Sequence, residues 1–345
     1  MAANHNNPEE RNIIILTGQG KDRKFTGEPR FYEQLAETAR KRRGKVYILP
    51  FRGGEAADGK AFSWDMERKE WVETSCPEPD VVYNRFSDRF TEWADPVQQY
   101  FNELEKEKIP YFNRCFFNKL HTSSLLQNHR VLKKYYPETK RMATRDDLAA
   151  FLNKHNAVFI KDIHGSQGQG IWKVENNGTS YTLQTQKQQY KGLSFQNLAE
   201  LLKPVYKKKT LLIQEGIPLT LLNDRTYDFR VLVHFFAGKW HVTGIGVRQA
   251  RNGGYTTHVP QGGRILSFDS VPVKPDPETV KQLSSHIGKL LDLKFQNVRE
   301  FSFDLGTDDE GGLWILDVNS KPMMFDEREI NKKRINTLAR IFAEA

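Results

Sequence analysis

Two carboxylates and an amide in one short stretch, Asp304, Asp317 and Asn319, are the residues best placed to do chemistry in this 345-residue chain. Residues 301–322 alternate apolar and polar side chains in two runs around a turn signal, Glu310-Gly311. Folding about that turn sets Asp304 opposite Asp317, Ser302 opposite Asn319, Phe303 opposite Val318 and Leu305 opposite Leu316. One face is then apolar and the other carries the acids. Directly opposed residues hold their Cβ atoms roughly 4.5–5.5 Å apart, and like charges so placed destabilise a sheet. A positive group is therefore expected between them. A hard divalent cation, Mg²⁺ above all, takes a few carboxylate and amide oxygens and completes its shell with substrate phosphates. A solvated hairpin bearing ordinary surface acids is the alternative on this stretch alone.

A second constellation lies at residues 157–170. Ala157-Val-Phe-Ile-Lys161-Asp-Ile reads as a strand with a lysine set in an apolar run, and His164-Gly165-Ser166-Gln167-Gly168-Gln169-Gly170 follows. No Gly-Lys-Ser/Thr ends this loop and a strand rather than a helix comes after it, so it is neither a Walker loop nor a dinucleotide fingerprint. Glycines at a hairpin tip let backbone N–H groups close over phosphate oxygens. A lysine on the apolar strand beside them calls for an anion. Without Lys161 a solvent-exposed loop fits the glycines equally well. Gln214-Glu215-Gly216-Ile217 ends a strand where backbone groups could meet an adenine edge; an ordinary strand end fits as well. Asp228 and Arg230 share a strand face, and a three-residue turn at 237–239 sets Asp228 opposite Arg248. The arginines then either hold a phosphate or carboxylate bidentately or, for Arg248, form a structural pair with Asp228. A one-residue slip would reverse the face.

The elements that must position these groups follow from periodicity. Strands at 13–17, 46–49, 81–83 and 109–112 alternate with helices at 31–43 and 96–106, around a hairpin at 64–72, which predicts an α/β unit over residues 1–116. Gly18 and Gly20 read as a strand-to-helix turn. A helix at 118–131 opens with Lys119. A helix at 145–155, strands at 157–163, 171–174 and 181–184, and a helix at 193–202 come next. A strand at 210–215, long strands at 226–236 and 240–250, a glycine-rich loop at 251–263, a helix at 277–293, the acidic hairpin and a helix at 327–343 complete the chain.

The formal charge of +9 favours anionic partners such as nucleotides and acidic metabolites. The basic clusters at residues 40–43 and 207–209 read as solvated helix ends, and no nucleic-acid-binding motif surrounds them. No run of about 18 apolar residues exists, so no membrane span is expected. Residues 1–11 are polar, without the apolar core of a signal peptide. Cys76 and Cys115 form neither a disulfide framework nor a metal-binding spacing, so a reducing cytoplasm is the expected setting.

Taken in order, these stretches resemble the ATP-grasp superfamily, and within it the YheC/YheD-like, endospore coat-associated branch. The resemblance is carried by Asn118-Lys119, Tyr136-Pro-Glu-Thr139, Ile160-Lys161, Gly168-Gln-Gly170-Ile171, Asp228-Phe-Arg230-Val-Leu-Val233 and Asp317-Val-Asn319-Ser-Lys-Pro322. It spans about residues 113–325. It implies an α/β (α+β) ATP-grasp fold: an N-terminal α/β domain over 1–116, a smaller lid subdomain over 117–205 and a C-terminal subdomain with a metal site over 206–345. It further implies that Lys119 and Lys161 contact the nucleotide, that Gly165, Ser166, Gln167, Gly168 and Gly170 form a phosphate lid, and that Gln214, Glu215 and Ile217 line the adenine. Asp304, Asp317 and Asn319 would hold Mg²⁺, two ions in the family's usual arrangement, with Mn²⁺ as a substitute. Arg230 and Arg248 would stabilise the transferring phosphoryl group. The implied reaction joins a small-molecule carboxylate to an amine through an acyl phosphate. Phosphotransfer to a hydroxyl, and a non-catalytic nucleotide-binding protein of the spore coat, are the other readings of the same scaffold. Two departures stand out. Asp317 replaces the family's usual glutamate with a shorter arm, and residues 255–263 lack an Asn-rich form before Gly262-Gly263.

Overall fold

The structure is a computed structural model that describes residues 10–20, 23–53, 55–56, 59–165 and 169–345. Ser166, Gln167 and Gly168 lie outside the described residues. The elements assemble into three sheets of seven, six and six strands.

In the first sheet Arg11–Gly18, Gly44–Arg52, Val81–Asn84 and Tyr111–Phe112 run parallel. Lys60–Asp65 and Glu70–Ser75 extend it as an antiparallel hairpin. A parallel sheet is covered on both faces, so its strands are apolar throughout rather than alternating. Ile13 and Ile15 pack with Phe31 and Leu35 of the helix Pro29–Arg40. Ile14 and Leu16 pack on the other side with Val97, Phe101 and Leu104 of the helix Asp95–Lys106. Each such fully buried side chain contributes roughly 1.5–3 kcal/mol. The last helix of the chain, Arg328–Glu344, returns to this unit and places Leu338 and Phe342 in the first of these clusters.

The second sheet contains Thr139–Met142, Ala157–Asp162, Ile171–Asn176, Tyr181–Gln184, Gln189–Leu193 and Leu211–Glu215. The strand Gln189–Leu193 was not legible in advance, because its sequence QYKGL is mostly exposed and lacks an apolar alternation. The helices Arg145–Lys154 and Phe195–Lys208 cover one face, with Val158 and Ile160 buried against them. Strict alternation along Ala157–Asp162 therefore turns Lys161 to the opposite face, where it meets the third sheet.

The third sheet places Arg225–Phe236 at its centre, between Lys239–Gln249 and Glu300–Thr307, with Leu313–Asn319 next to the latter. Phe229, Val231, Phe301, Phe303 and Leu305 are fully buried beneath the helix Pro277–Phe295. The residues between them, Asp228, Arg230, Asp304 and Ser302, occupy the other face. Two details of register differ from expectation. The turn after Phe236 has two residues, Ala237 and Gly238, both at positive φ, and Phe236 pairs with Lys239. A bulge that leaves Thr243 unpaired then restores Asp228 to Arg248. In the acidic hairpin Asp304 does oppose Asp317 and Ser302 opposes Asn319, but Leu305 pairs with Ile315 rather than Leu316. Leu316 is the extra residue of a second bulge.

Candidate active site

That second bulge brings two sheets together. A bulged residue leaves a backbone group outside the ladder, and the Leu316 carbonyl accepts a hydrogen bond from Lys161 Nζ at 3.0 Å. Lys161 also donates to Gln214 Oε1 at 2.6 Å, and Gln214 Nε2 donates to Thr139 Oγ1 at 2.9 Å. Burial pushes the Lys161 ammonium down to about 8; Asp317 opposes this and Lys119 adds to it. Lys119 is the first residue of the helix Lys119–Asn128, capped by Asn118, whose Oδ1 accepts from Leu120 N and His121 N. A cation there opposes the helix dipole, and Asp317 Oδ2, 3.6 Å from Lys119 Nζ, compensates.

The polar face of the third sheet carries alternating charges. Arg248 donates from Nε and Nη2 to Asp228 Oδ1 at 3.2 and 3.0 Å, so the structural pair with Asp228 is present. Thr257 Oγ1 donates to the other Asp228 oxygen. Arg248 Nη2 also lies 2.9 Å from Asp304 Oδ1. It lies off the hydrogen-bond direction, and that buried oxygen has no hydrogen-bond donor among the described residues. Arg230 pairs across the ladder with Asp304 and stacks on Phe325 at 5.4 Å. Its Nε is buried without a hydrogen-bond partner, and among the described residues it forms no ion pair. Burial raises the Asp304 pKa, but Arg248, Arg230 and His258 outweigh it and hold the carboxyl below its usual range. The positive charge expected between the opposed acids is thus supplied in part by Arg248 and Lys119.

Among the described residues no three His, Cys, Asp or Glu side chains cluster as a metal site. Two carboxylates and an amide do share one sheet face, and the Asp304 oxygen, paired in charge with Arg248 but without a hydrogen-bond donor among the described residues, is an acceptor of the hard kind that Mg²⁺ takes. Such an ion is commonly held by one or two carboxylates, with phosphate oxygens and water completing the shell. Asp304, Asp317 and Asn319 fit that role.

The loop glycines serve packing as well as approach. A Cβ on Gly165 would lie 2.5 Å from Gln169 O, and one on Gly170, at φ +70°, would lie 2.8 Å from Asp162 Cβ. Both glycines sit close against Asp162, which accepts from His164 N at 3.0 Å and from Lys209. At the strand end, Glu215 N donates to Glu138 O at 2.8 Å and Gly216 N to Ala157 O at 2.8 Å, which fixes the backbone leading to Ile217. A narrow slot of about 20 Å³ lies between Lys119, Lys161, Gln214 and Asp317. It opens beside a cavity of about 520 Å³ lined by Arg230, Arg248, His258, Asn319 and, from the first sheet's side, Arg85 and Phe86.

The profile of the family described as YheC/D like ATP-grasp matches residues 108–343. The chain belongs to this family. It is 26% identical over 316 residues to "Endospore coat-associated protein YheD" of Bacillus subtilis (strain 168), covering 87% of this chain and 69% of that one. It is 26% identical over 282 residues to "Endospore coat-associated protein YheC" of the same organism, covering 76% of each. Among solved structures it is similar to the VanG D-Ala:D-Ser ligase from Enterococcus faecalis. The TM-score is 0.59 at 13% identity, over 97% of this chain and 100% of that one. The architecture is accordingly an ATP-grasp fold.

Several residues of this ATP-grasp cleft escaped the sequence reading. Thr139 and Leu316 serve Lys161 only through the folded register. Arg85 lines the large cavity, donating to Glu28 Oε2 at 2.9 Å and to Pro322 O at 3.0 Å. Its position just beyond a parallel strand was a usable signal, since ligands in α/β sheets gather at the carboxyl ends of the strands.

Proposed function

We propose that this protein is an ATP- and Mg²⁺-dependent carboxylate–amine ligase of the peptide-forming type, working through an acyl phosphate. The observation that supports the reading is that Lys161 of the second sheet reaches the Leu316 carbonyl of the third, between a slot lined by Lys161 and Asp317 and a cavity lined by Arg230, Arg248 and Asn319. In this reading Lys119 and Lys161 hold the α- and β-phosphates, with Gly165 and Gly170 beside them. Gln214, Glu215 and Ile217 fix the adenine edge. Asp304, Asp317 and Asn319 hold the metal, which when bound neutralises phosphate charge. Arg230, free of an ion pair among the described residues, orients the carboxylate and the phosphoryl group bidentately. Arg248, tied to Asp228, lends fixed positive charge without having to reorganise. The chain's work is positioning and exclusion of water, which is most of what phosphoryl transfer asks of a protein.

Three bodies would close on that junction: the first sheet with residues 1–116, the second sheet, whose strand Leu211–Glu215 carries it past the expected boundary at 205, and the third sheet with the residues that follow. Similarity to YheC and YheD supports a role in the spore. The test is to mix the protein with Mg²⁺-ATP, a panel of carboxylic acids and amino-acid amines, and to follow ADP, phosphate and product mass. ADP release with a condensed amide supports the ligase. A phosphorylated, uncondensed product assigns transfer to a hydroxyl instead. Absence of any acid-dependent ADP sinks the reading.

A further inference from the structure

The large cavity is half apolar, and the apolar half is held in place by unusual means. Phe90 and Trp93 are 82% and 45% exposed at its rim, on the short helix Arg89–Trp93. A single exposed apolar residue is ordinary, but neighbouring aromatic side chains at the mouth of a cavity form the kind of contiguous patch that marks a binding surface. The helix cannot turn them inward. Its Glu92 is fully buried, accepting from Asn84 Nδ2 at 2.7 Å, from Phe116 N at 2.8 Å and from Lys321 Nζ. Asp88 caps the helix by accepting from Thr91 N at 2.8 Å. Thus the charged residue goes inside and the aromatic residues stay out, the reverse of ordinary helix burial. The rings are arranged: Phe90 and Trp93 meet edge to face at 6.4 Å, and Trp93 meets His164, next to Gly165 of the glycine loop, at 5.8 Å. Phe86, Phe116 and Met324 continue the apolar wall.

The same cavity is lined by Arg230, whose guanidinium stacks on Phe325 and has no ion pair among the described residues. A cavity of about 520 Å³ lies within the range of drug-sized ligand pockets. An acid as small as glycine or alanine needs none of its aromatic wall.

The geometry points to a substrate class: a carboxylic acid carried on an aromatic or equally bulky apolar tail, with its carboxylate toward Arg230 and its tail against Phe90 and Trp93. Which end reacts rests on the ligase reading; the occupancy of the cavity does not. The shared chemistry of an aryl tail and a carboxylate occurs in free acids and at the C-terminus of a polypeptide.

Titration calorimetry of the whole protein, with Mg²⁺-ATP present, decides it. The probes are propionate, 3-phenylpropionate and N-acetyl-glycyl-phenylalanine. 3-Phenylpropionate is expected to bind about ten-fold or more tighter than propionate, the gain from burying one ring. Phe90→Ala and Trp93→Ala should each shrink that preference, and Arg230→Gln should weaken both acids alike. Tighter binding of the acetylated dipeptide assigns a polypeptide end, and tighter binding of the free acid assigns a metabolite; either supports the pocket. Equal affinities for propionate and 3-phenylpropionate, no binding of either, or a preference that survives both alanine variants overturns it. Mg²⁺-ATP titrated alone into the same protein reports separately on the nucleotide reading, which can stand while the aryl preference fails.

Discussion

Lys161 is a cation held where a cation is costly. Its ammonium, pushed down to about 8 by burial, titrates near 10.4 in an unfolded chain. Between those values the native state binds fewer protons than the unfolded one. The contribution of this group to stability therefore rises with pH across that window and is a constant penalty below it. A phosphate beside Lys161 favours the charged form. Nucleotide binding near pH 8 is thus expected to take up a fraction of a proton, seen as a binding heat that depends on the ionisation enthalpy of the buffer. Lys161→Met should abolish that dependence and weaken ATP binding by roughly ten- to a hundred-fold, the worth of one charge-assisted hydrogen bond. Unchanged affinity and unchanged heats would remove Lys161 from the site. Asp304 is the complementary case. It faces Arg230 across the ladder and lies beside Arg248, and Asp304→Asn would leave buried guanidinium charge with Asp228 as the near acid. A loss of roughly 3 kcal/mol in urea unfolding is expected, along with loss of the Mg²⁺ dependence of nucleotide binding. Retention of both would refute the metal-holding and charge-balancing roles given to Asp304.

At the scale of elements, one buried acid ties four of them together. Glu300 accepts from Arg334 Nε at 2.6 Å, from Arg334 Nη2 at 3.1 Å and from Tyr83 OH at 2.6 Å, and its Oε1 lies 3.1 Å from His234 Nε2. These join the strands Glu300–Thr307, Val81–Asn84 and Arg225–Phe236 to the helix Arg328–Glu344. Burial raises the Glu300 pKa, but Arg334, then His234 and Arg85, outweigh it and hold the carboxyl below its usual range. Because the folded value is depressed, this group stabilises the protein above the ordinary titration of glutamate, about pH 4.3, and the gain is lost as pH falls through the folded value. Glu300→Gln should cost roughly 3–5 kcal/mol at neutral pH, since it strands buried arginines. It should also flatten the acid side of the stability profile. A variant as stable as the parent at pH 7 would refute the keystone role. None of this was legible in the sequence, where Arg334 is one of many charges along the last helix although it is fully buried. The same limit applies to Gly244 and Gly246. A Cβ on either would lie 2.6 Å from Ile330 or 2.5 Å from Glu327, so these glycines admit the start of the last helix onto the sheet. What periodicity did reveal were the elements with a strong one-sided pattern and the residues facing each other inside one hairpin. Asp304 against Asp317 needs only local counting. The two bulges, and the Lys161–Leu316 contact that one of them creates, depend on packing between distant segments.

Over the whole molecule, polar contacts among the described residues tie the second sheet to the third, and the slot lies between them. Lys161 donates to Leu316 O, Tyr255 OH to Ile171 O at 2.8 Å, and Gln184 Nε2 to Gly253 O at 2.6 Å. The last two come from the loop between Gln249 and Val259, so that loop is a strap between the sheets as well as a cavity wall. A ligand held by Lys161 on one side and by Asp304 and Asp317 on the other adds contacts that neither sheet makes alone. It binds the assembled state and not the unfolded chain, so at a hundred times its Kd it should add about 2.7 kcal/mol of stability. Hydrogen exchange should then slow together in residues 157–176 and in residues 251–263, because both ends of the strap are fixed by one event. Tyr255→Phe removes one tie without touching either sheet's core. It should leave the thermal midpoint of the free protein nearly unchanged while uncoupling the two segments, so that nucleotide protects 157–176 but no longer protects 251–263 to the same degree. Coupled protection that survives the phenylalanine would place the link elsewhere, at Lys161 and Leu316 themselves, and the strap would be only a wall.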